Sequence, residues 1–470
     1  MDPEMDGKGL TVLNNKVQTG KRIFGFLMAF LIVALETAVM TYVGVHYYNT
    51  DLPKAYDFWV HVFIAAVYMV LLFAASAMYG GLKIGSYRMI ELMFSESIAT
   101  ILTNIVFYAI VCLLAYHFPT PVPLILGTML QGLLIAGWIL GSTYIFRKLF
   151  PPLDVLLIYD GTQKDLFVEK VKTRRHQFSI NESVRATGSD EEIQAAIDKH
   201  AAVMLWDVTT ERRNKIFKYC YERSVETYVM PKIMDIILRG SQTLHFFDTP
   251  LLLTKSSPIE AEQLLIKRLF DIVFSLVLIV ITSPLMLLTA LAVKLYDGGP
   301  VFYKQIRCTR DDKQFHIVKF RSMIVGAEKD GRARLASQHD DRITPVGRLI
   351  RKIRIDELPQ LFNVLSGSMS FVGPRPERPE IIEKYVESMP EFRYRTKVKA
   401  GLTGYAQIYG KYNTRPHDKL KLDLYYIENF SVWLDLRLII QTVKILFKPE
   451  STEGVAAGNI TPIEREEGHE

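Results

Sequence analysis

Ile272-Val-Phe-Ser-Leu-Val-Leu-Ile-Val-Ile-Thr-Ser-Pro-Leu-Met-Leu-Leu-Thr-Ala-Leu-Ala-Val293 is the stretch on which the architecture turns. It is as long as the roughly 20 apolar residues that cross a bilayer. Its flanks argue against a crossing. Lys267 and Arg268 precede it, and Lys294, Lys304, Arg307 and Arg310 follow it. The positive-inside rule therefore places both ends in the cytoplasm. Ser283–Pro284 sits at its middle, where proline removes an i→i−4 hydrogen bond and bends the helix. A re-entrant helix over 268–294 that dips into one leaflet and returns satisfies both facts. The Ser283 hydroxyl is then a candidate partner for backbone freed at the bend, because lipid offers none. The alternative is a straight fifth span with a proline kink, which places the following domain outside the cell.

Upstream lie four apolar runs, roughly Ile23–Val45, Phe58–Met78, Ile98–Tyr116 and Pro123–Phe146, each near spanning length. Lys21 and Arg22 precede the first, Lys83 and Arg88 follow the second, and Arg147 and Lys148 follow the fourth. This asymmetry places both ends of a four-helix transmembrane bundle, residues 21–150, in the cytoplasm. Glu36 and Gln131, inside the runs, read as packing or helix-pairing groups. The segment 1–20 has no short apolar core with a small-residue cleavage site, so no removable signal peptide is expected. The three cysteines, Cys112, Cys220 and Cys308, have neither zinc spacing nor the pattern of a disulfide framework.

Residues 151–258 change character. Val155–Tyr159, Ala202–Val208 and Glu226–Met230 read as short strands, with helices over Glu191–His200 and Thr209–Arg223, the latter with a threonine cap. Strands alternating with helices predict a small parallel α/β domain. Its first turn, Tyr159-Asp-Gly-Thr-Gln163, lacks the G-x-G-x-x-G that lets a backbone approach a pyrophosphate. A degenerate Rossmann-like domain without a dinucleotide is expected.

Residues 259–448 are strongly basic: from Leu264 to Lys448 there are 31 Lys and Arg against 19 Asp and Glu. Beside so much apolar sequence this favours lipid headgroups and phosphates over nucleic acid. Lys319-Phe-Arg-Ser-Met323 ends a strand-like stretch, Phe315–Val318. Val346–Ile355 reads as an amphipathic helix, with Val346, Leu349, Ile350 and Ile353 on one face and Arg348, Arg351, Lys352 and Arg354 on the other. Asp356-Glu-Leu-Pro359 then looks like a helix start, with Asp as N-cap and Pro in the first turn. An ordinary acidic cap is one reading. The other is a carboxylate nucleophile or metal ligand beside arginines. Gly373-Pro-Arg-Pro-Glu-Arg378 makes a stiff turn carrying two guanidiniums, groups suited to forked phosphate contacts.

In order, KRLFD (267–271), the mid-helix Ser-Pro, KFRSM (319–323), DDRITPVGRLIRK (340–352), IDELPQLFNVLSGSMSFVGPRPERPE (355–380), VKAGLTGYAQIYG (398–410) and DLYYIENFSVWLDLRLI (423–439) resemble the bacterial sugar transferase family, the monotopic phosphoglycosyl transferases. The whole chain resembles the long members, polyprenyl-phosphate hexose-1-phosphate transferases. The stretch Gln305-Ile-Arg-Cys-Thr-Arg-Asp-Asp312 departs from the glycines usual there and leaves that loop's conformation open. The resemblance implies a two-step reaction with Mg²⁺. Asp356 would attack the sugar-linked phosphorus of a UDP-sugar, UMP would leave, and polyprenyl phosphate, usually undecaprenyl, would take the phosphosugar. Glu357 would hold the metal. Lys319, Arg351 and Arg375 match the family's basic positions, with Arg321, Arg354 and Gln407 as further substrate-binding candidates. A UDP-releasing glycosyltransferase or a non-catalytic membrane scaffold are the alternatives. The expected setting is the bacterial inner membrane, with the catalytic domain on the cytoplasmic face, at the start of an exopolysaccharide, capsule or O-antigen pathway. The extra domains are compatible with a homodimer. The polar tail 449–470 is expected to be disordered.

Overall fold

A computed structural model describes residues 7–53, 56–161, 164–254, 258–327, 342–410 and 414–446. The tail 449–470 and the start of the 1–20 segment lie outside the described residues. The chain divides into two compact units, Met1–Met230 and Pro231–Glu470.

In the first unit each apolar run becomes a helix: α1 (Gly7–Val43), α2 (Phe58–Tyr79), α3 (Met89–Ala115) and α4 (Val122–Leu149). A π-helical turn, Gly44–Tyr48, extends α1. With one helix of the second unit, these are long and apolar enough to cross a membrane, and the chain is a membrane protein. Polar side chains tie the four together. Thr100 Oγ1 donates to Glu36 Oε2 at 2.6 Å, and Gln131 Nε2 donates to the Glu36 carbonyl and the Tyr68 hydroxyl, both at 3.0 Å. Asn104 Nδ2 donates to Gln131 Oε1 at 2.8 Å. Glu36 and Gln131 thus pair helices, as read from the sequence. Without water to compete, such bonds select partners inside a bundle. Glu96, also fully buried, accepts from Ser76 Oγ at 2.8 Å.

Four strands follow, with helices between them: β1 (Leu153–Tyr159), α5 (Lys164–Lys172), β2 (Phe178–Arg185), α6 (Asp190–Ile197), β3 (Ala202–Trp206), α7 (Thr210–Glu222) and β4 (Glu226–Val229). The sheet is parallel, in the order β2-β1-β3-β4. The central strands β1 and β3 are apolar runs buried on both faces, which made them legible. The edge strand β2, Phe-Ser-Ile-Asn-Glu-Ser-Val-Arg, keeps polar residues half in water and carries no such run. The threonine before α7 does not act as predicted, because Thr209 makes no side-chain capping bond.

The second unit opens with α8 (Ile233–Arg239) and a hairpin of β5 (Gln242–Phe246) and β6 (Thr249–Leu253). Residues 231–258 were grouped with the α/β segment on sequence, but Ile236 of α8 packs in a core with Ile259, Leu361, Val364, Leu424 and Ile427. Next come the long helix α9 (Ala261–Asp297), the antiparallel pair β7 (Phe302–Cys308) and β8 (Gln314–Phe320), then α10 (Pro345–Lys352) and α11 (Gln360–Ser366). Strand β9 (Ser370–Val372), α12 (Pro379–Ser388) and β10 (Gly401–Thr403) follow, β10 pairing in parallel with β9, and α13 (Tyr405–Tyr409), α14 (Pro416–Glu428) and α15 (Val432–Leu446) complete the unit. The turn after β7, which lacks the expected glycines, is made by placing Asp311 and Asp312 at φ 56°, a region that aspartate tolerates better than most residues.

Helix α9 has 37 residues, about 55 Å at 1.5 Å per residue. Pro284 lies inside it and cannot bond the carbonyl four residues back. Ser283 Oγ donates to that carbonyl, Val280 O, at 2.8 Å, the compensation its sequence position suggested. Both ends of α9 are fixed to the same unit. At the start, Lys267 Nζ contacts Asp435 Oδ2 at 2.5 Å, Arg268 donates to the Val364 and Leu365 carbonyls, and Asp271 accepts from Phe371 N at 2.8 Å. At the end, Asp297 is gripped by Arg321, and Met286 and Val293 pack on Phe320 and Ile350. Lys267→Ala leaves Asp435 buried without its cation and is expected to destabilise the second unit by about 3–5 kcal/mol. Denaturant titration of the full chain in detergent measures this, and a loss under about 1 kcal/mol would show that the pair behaves like an exposed one.

Candidate active site

Three chain segments meet at one carboxylate. Strand β8 contributes Lys319, and the side chain of Asn363 in α11 fixes that strand, with Oδ1 accepting from Val318 N at 3.0 Å and Nδ2 donating to His316 O at 2.8 Å. Helix α10 is capped by Thr344 Oγ1, which accepts from Gly347 N at 2.9 Å. It ends where Arg354 takes the left-handed φ of 55°. Such a conformation costs a non-glycine residue about 1–2 kcal/mol, and it turns the chain out of the helix into a 3₁₀ turn, Ile355–Glu357. The loop 373–378 contributes Arg375.

The centre is Glu357. Its Oε1 accepts from Lys319 Nζ at 2.9 Å and Arg375 Nη2 at 3.2 Å, and Arg354 Nη1 lies 3.8 Å from Oε2. Burial by itself would raise this carboxyl's pKa, but Lys319, Arg375 and Arg354 outweigh it and hold Glu357 well below the usual carboxylate range. Asp356 beside it behaves oppositely. Burial, then the charge of Glu357, pushes it up to about 6 against the pull of Lys319, Arg351 and Arg354. Among the described residues no donor hydrogen-bonds the Asp356 carboxyl. The helix predicted to start on Asp356 starts instead at Gln360, with Pro359 before it. Asp356 is therefore no helix cap, because the 3₁₀ turn intervenes and leaves its oxygens available.

The other predicted residues divide. Arg351, in the last turn of α10, acts on Asp356 through its charge and makes no ion pair of its own among the described residues. Arg321 is buried, and its guanidinium is committed to Asp297 at the exit of α9. Gln407 Nε2 donates to Leu402 O at 3.2 Å, and its buried Oε1 has no partner among the described residues. That oxygen lies 3.2 Å from where a Cβ on Gly404 would stand, and the same Cβ would collide with the Gly373 carbonyl, so these two segments meet backbone to backbone. Ser283 and Pro284 are in α9, as described above.

The loop carrying Arg375 is held through four consecutive carbonyls. Pro374 O accepts from Gly401 N at 2.9 Å, Arg375 O from Arg395 Nη2 at 3.0 Å, Pro376 O from Arg307 Nη1 at 3.3 Å, and Glu377 O from Cys308 N at 3.0 Å. The Glu377 carboxylate faces Lys419, Arg395 and Arg307. Glu377 and Asp423 stand inside the motifs, but no short stretch of sequence shows their role, since their partners lie far away along the chain.

The sequence model of the bacterial sugar transferase family matches residues 262–449. An uncharacterized sugar transferase of Bacillus subtilis (strain 168) is 41% identical over 202 residues, 43% of this chain and 96% of that protein. A UDP-N-acetylgalactosamine-undecaprenyl-phosphate N-acetylgalactosaminephosphotransferase of Aeromonas hydrophila is 39% identical over 230 residues, 48% of this chain and 53% of its own length. A UDP-glucose:undecaprenyl-phosphate glucose-1-phosphate transferase of Escherichia coli (strain K12) is 35% identical over 237 residues, 49% and 51% of the two chains. The chain belongs to the bacterial sugar transferase family. It spans about half the length of these last two relatives.

Burial would raise Glu377, but Lys419, Arg395 and Arg307 outweigh burial and lower it from its ordinary 4.5 to about 2. A depressed folded-state value stabilises the fold above the unfolded-state value, and that stability is lost as pH falls through the folded one. Glu377→Gln is therefore expected to flatten the acid limb of the stability curve between about 4.5 and about 2. Denaturation midpoints across that range test it, and an unchanged limb counts against the cluster.

Proposed function

We propose that this protein transfers a sugar 1-phosphate from a UDP-sugar to a polyprenyl phosphate through a covalent aspartyl intermediate. The observation that carries the reading is the divided dyad: Glu357 is engaged by three cations, while Asp356, adjacent and half-buried, accepts from no hydrogen-bond donor among the described residues. An oxygen of Asp356 attacks the sugar-linked phosphorus. The bond to the UMP oxygen breaks, and UMP leaves as the anion. A phosphate oxygen of the polyprenyl phosphate then attacks the same phosphorus, and Asp356 departs as carboxylate. Phosphoryl transfer of this kind depends mainly on positioning and charge neutralisation. Arg351, with no ion pair among the described residues, is placed to take phosphate charge, as are Lys319 and Arg375 once phosphate competes with Glu357.

Among the described residues no three His, Cys, Asp or Glu side chains gather to hold a metal. Mg²⁺ needs no such cage, because it binds through one or two carboxylates and completes its shell with water and substrate phosphates. The acidic pair fits that donor set. Glu357, with Oε2 less engaged than Oε1, would hold the ion, which would neutralise diphosphate charge.

The membrane placement has physical support. A straight span carries its ends to opposite faces of a core about 30 Å thick. Both ends of α9 are nevertheless bound within one unit, while Val280, Ile281 and Leu287 near its middle are 65, 67 and 72% exposed. A re-entrant helix reconciles these facts and holds the site at headgroup depth on the cytoplasmic face, where an acceptor's phosphate lies. The reaction would then open a surface-glycan pathway. The names of the relatives include glucose and N-acetylgalactosamine as the sugar moved, and a panel of UDP-sugars scored by UMP release identifies the donor.

Asp356→Asn is expected to abolish UMP release and trapping of a phosphosugar adduct, and robust turnover in that variant would sink the nucleophile assignment. Label on the donor's β-phosphate is expected in the lipid product. Label in released UDP would point instead to transfer of sugar without phosphate.

A further inference from the structure

Among the described residues, Arg375 is the one cation at Glu357 that comes from a loop rather than from a strand end or a helical turn. A loop side chain can fix a phosphate only if its backbone is fixed. Two of the four carbonyl contacts on residues 374–377 come from arginines, and the one on Arg375 itself comes from Arg395 Nη2 at 3.0 Å. Arg395 is only 4% exposed. Its own direction is set by Asp423, 1% exposed, whose Oδ2 accepts from Arg395 Nε at 2.8 Å. Glu377 Oε1 lies 3.7 Å from Arg395 Nη1 and also meets Lys419. The ring of Phe392 lies under the guanidinium, 4.8 Å from its carbon to the ring centroid. The guanidinium is thus used on three edges and one face, and one edge reaches the peptide that carries Arg375.

We infer that Arg395, oriented by Asp423 and Glu377, is a positioning residue that sets where the Arg375 guanidinium stands over the reacting phosphate. The inference rests on the proposed reaction for its consequence, though not for its geometry. A planar fork donates in several fixed directions at once, which an ammonium cannot do. Arg395→Lys therefore keeps the charge opposite Asp423 but loses the bond to the Arg375 carbonyl.

The test uses the full-length protein in nanodiscs with the best UDP-sugar donor. Arg395→Lys is expected to lower kcat/KM for UMP release about 10–100-fold, the scale of a misplaced contact group. In the double variant with Arg375→Ala, adding Arg395→Lys is expected to cost less than about two-fold more than Arg375→Ala alone, within the margin of ordinary additivity. Losses that multiply would overturn the inference. Hydrogen exchange supplies a readout independent of turnover. The amides of Arg375, Glu377 and Arg378 are expected to exchange about ten-fold faster in Arg395→Lys, as for a local opening, with the Ser370 and Phe371 amides unchanged. Acceleration across the whole unit, or none in the loop, would also overturn it. If the unaltered protein releases UMP from no UDP-sugar, the proposed reaction falls, and the exchange experiment still decides whether Arg395 holds the loop.

Discussion

The Glu357 carboxylate, with Lys319, Arg354 and Arg375 around it, is the interaction on which the catalytic unit depends. Each cation comes from a different segment: a strand end, the turn after a helix, and an irregular loop. Charges of one sign do not gather unaided in a partly buried place, and removing the shared carboxylate would take away the counter-charge that all three face. The same arrangement governs Asp356. It stands next to a carboxylate that keeps its charge, so its own ionisation is resisted, and two of the cations that act on it, Lys319 and Arg354, are already engaged by Glu357. One acidic residue gathers the cations and leaves its neighbour without a hydrogen-bond donor among the described residues.

Around this centre the unit is built to hold still what sequence would leave loose. Asn363 fixes the strand of Lys319, Thr344 fixes the helix before the dyad, and four carbonyl contacts fix the loop of Arg375. The second carboxylate cluster, at Glu377 and Asp423, repeats the device one layer back. Burying that many charges stabilises the fold only if each is matched, and its more evident effect is rigidity. Helix α9 belongs to the same scheme. Ion pairs at both its ends join the apolar segment to the unit that carries the dyad.

Legibility in the sequence followed periodicity and local chemistry. The four long apolar helices, the buried strands β1 and β3, and α10 all carry patterns that a short window contains. The edge strand β2 did not, since half of it faces water. The helix predicted at Asp356 failed for a local reason of another kind. Its capping chemistry was sound, but Arg354 in the left-handed region turned the chain into a 3₁₀ turn first. Arg321 and Lys319 sit two residues apart in one motif, Lys319 at a family basic position and Arg321 as a further candidate. Strict alternation would put both on one face, but β8 ends at Phe320, and the chain beyond it takes Arg321 to Asp297 while Lys319 meets Glu357.

By itself the sequence determined that this is a membrane protein with an α/β segment and a basic domain, and that Asp356–Glu357 and Arg375 belong to one motif set. Hydrophobic length, alternation and net charge are properties of neighbours along the chain, so no fold is needed to read them. Only the tertiary structure decided which carboxylate of the pair is engaged and which is free, which arginine faces the dyad, and that Arg395 and Asp423 stand behind Arg375. Those outcomes depend on distances between groups far apart in the sequence, and folding alone sets such distances.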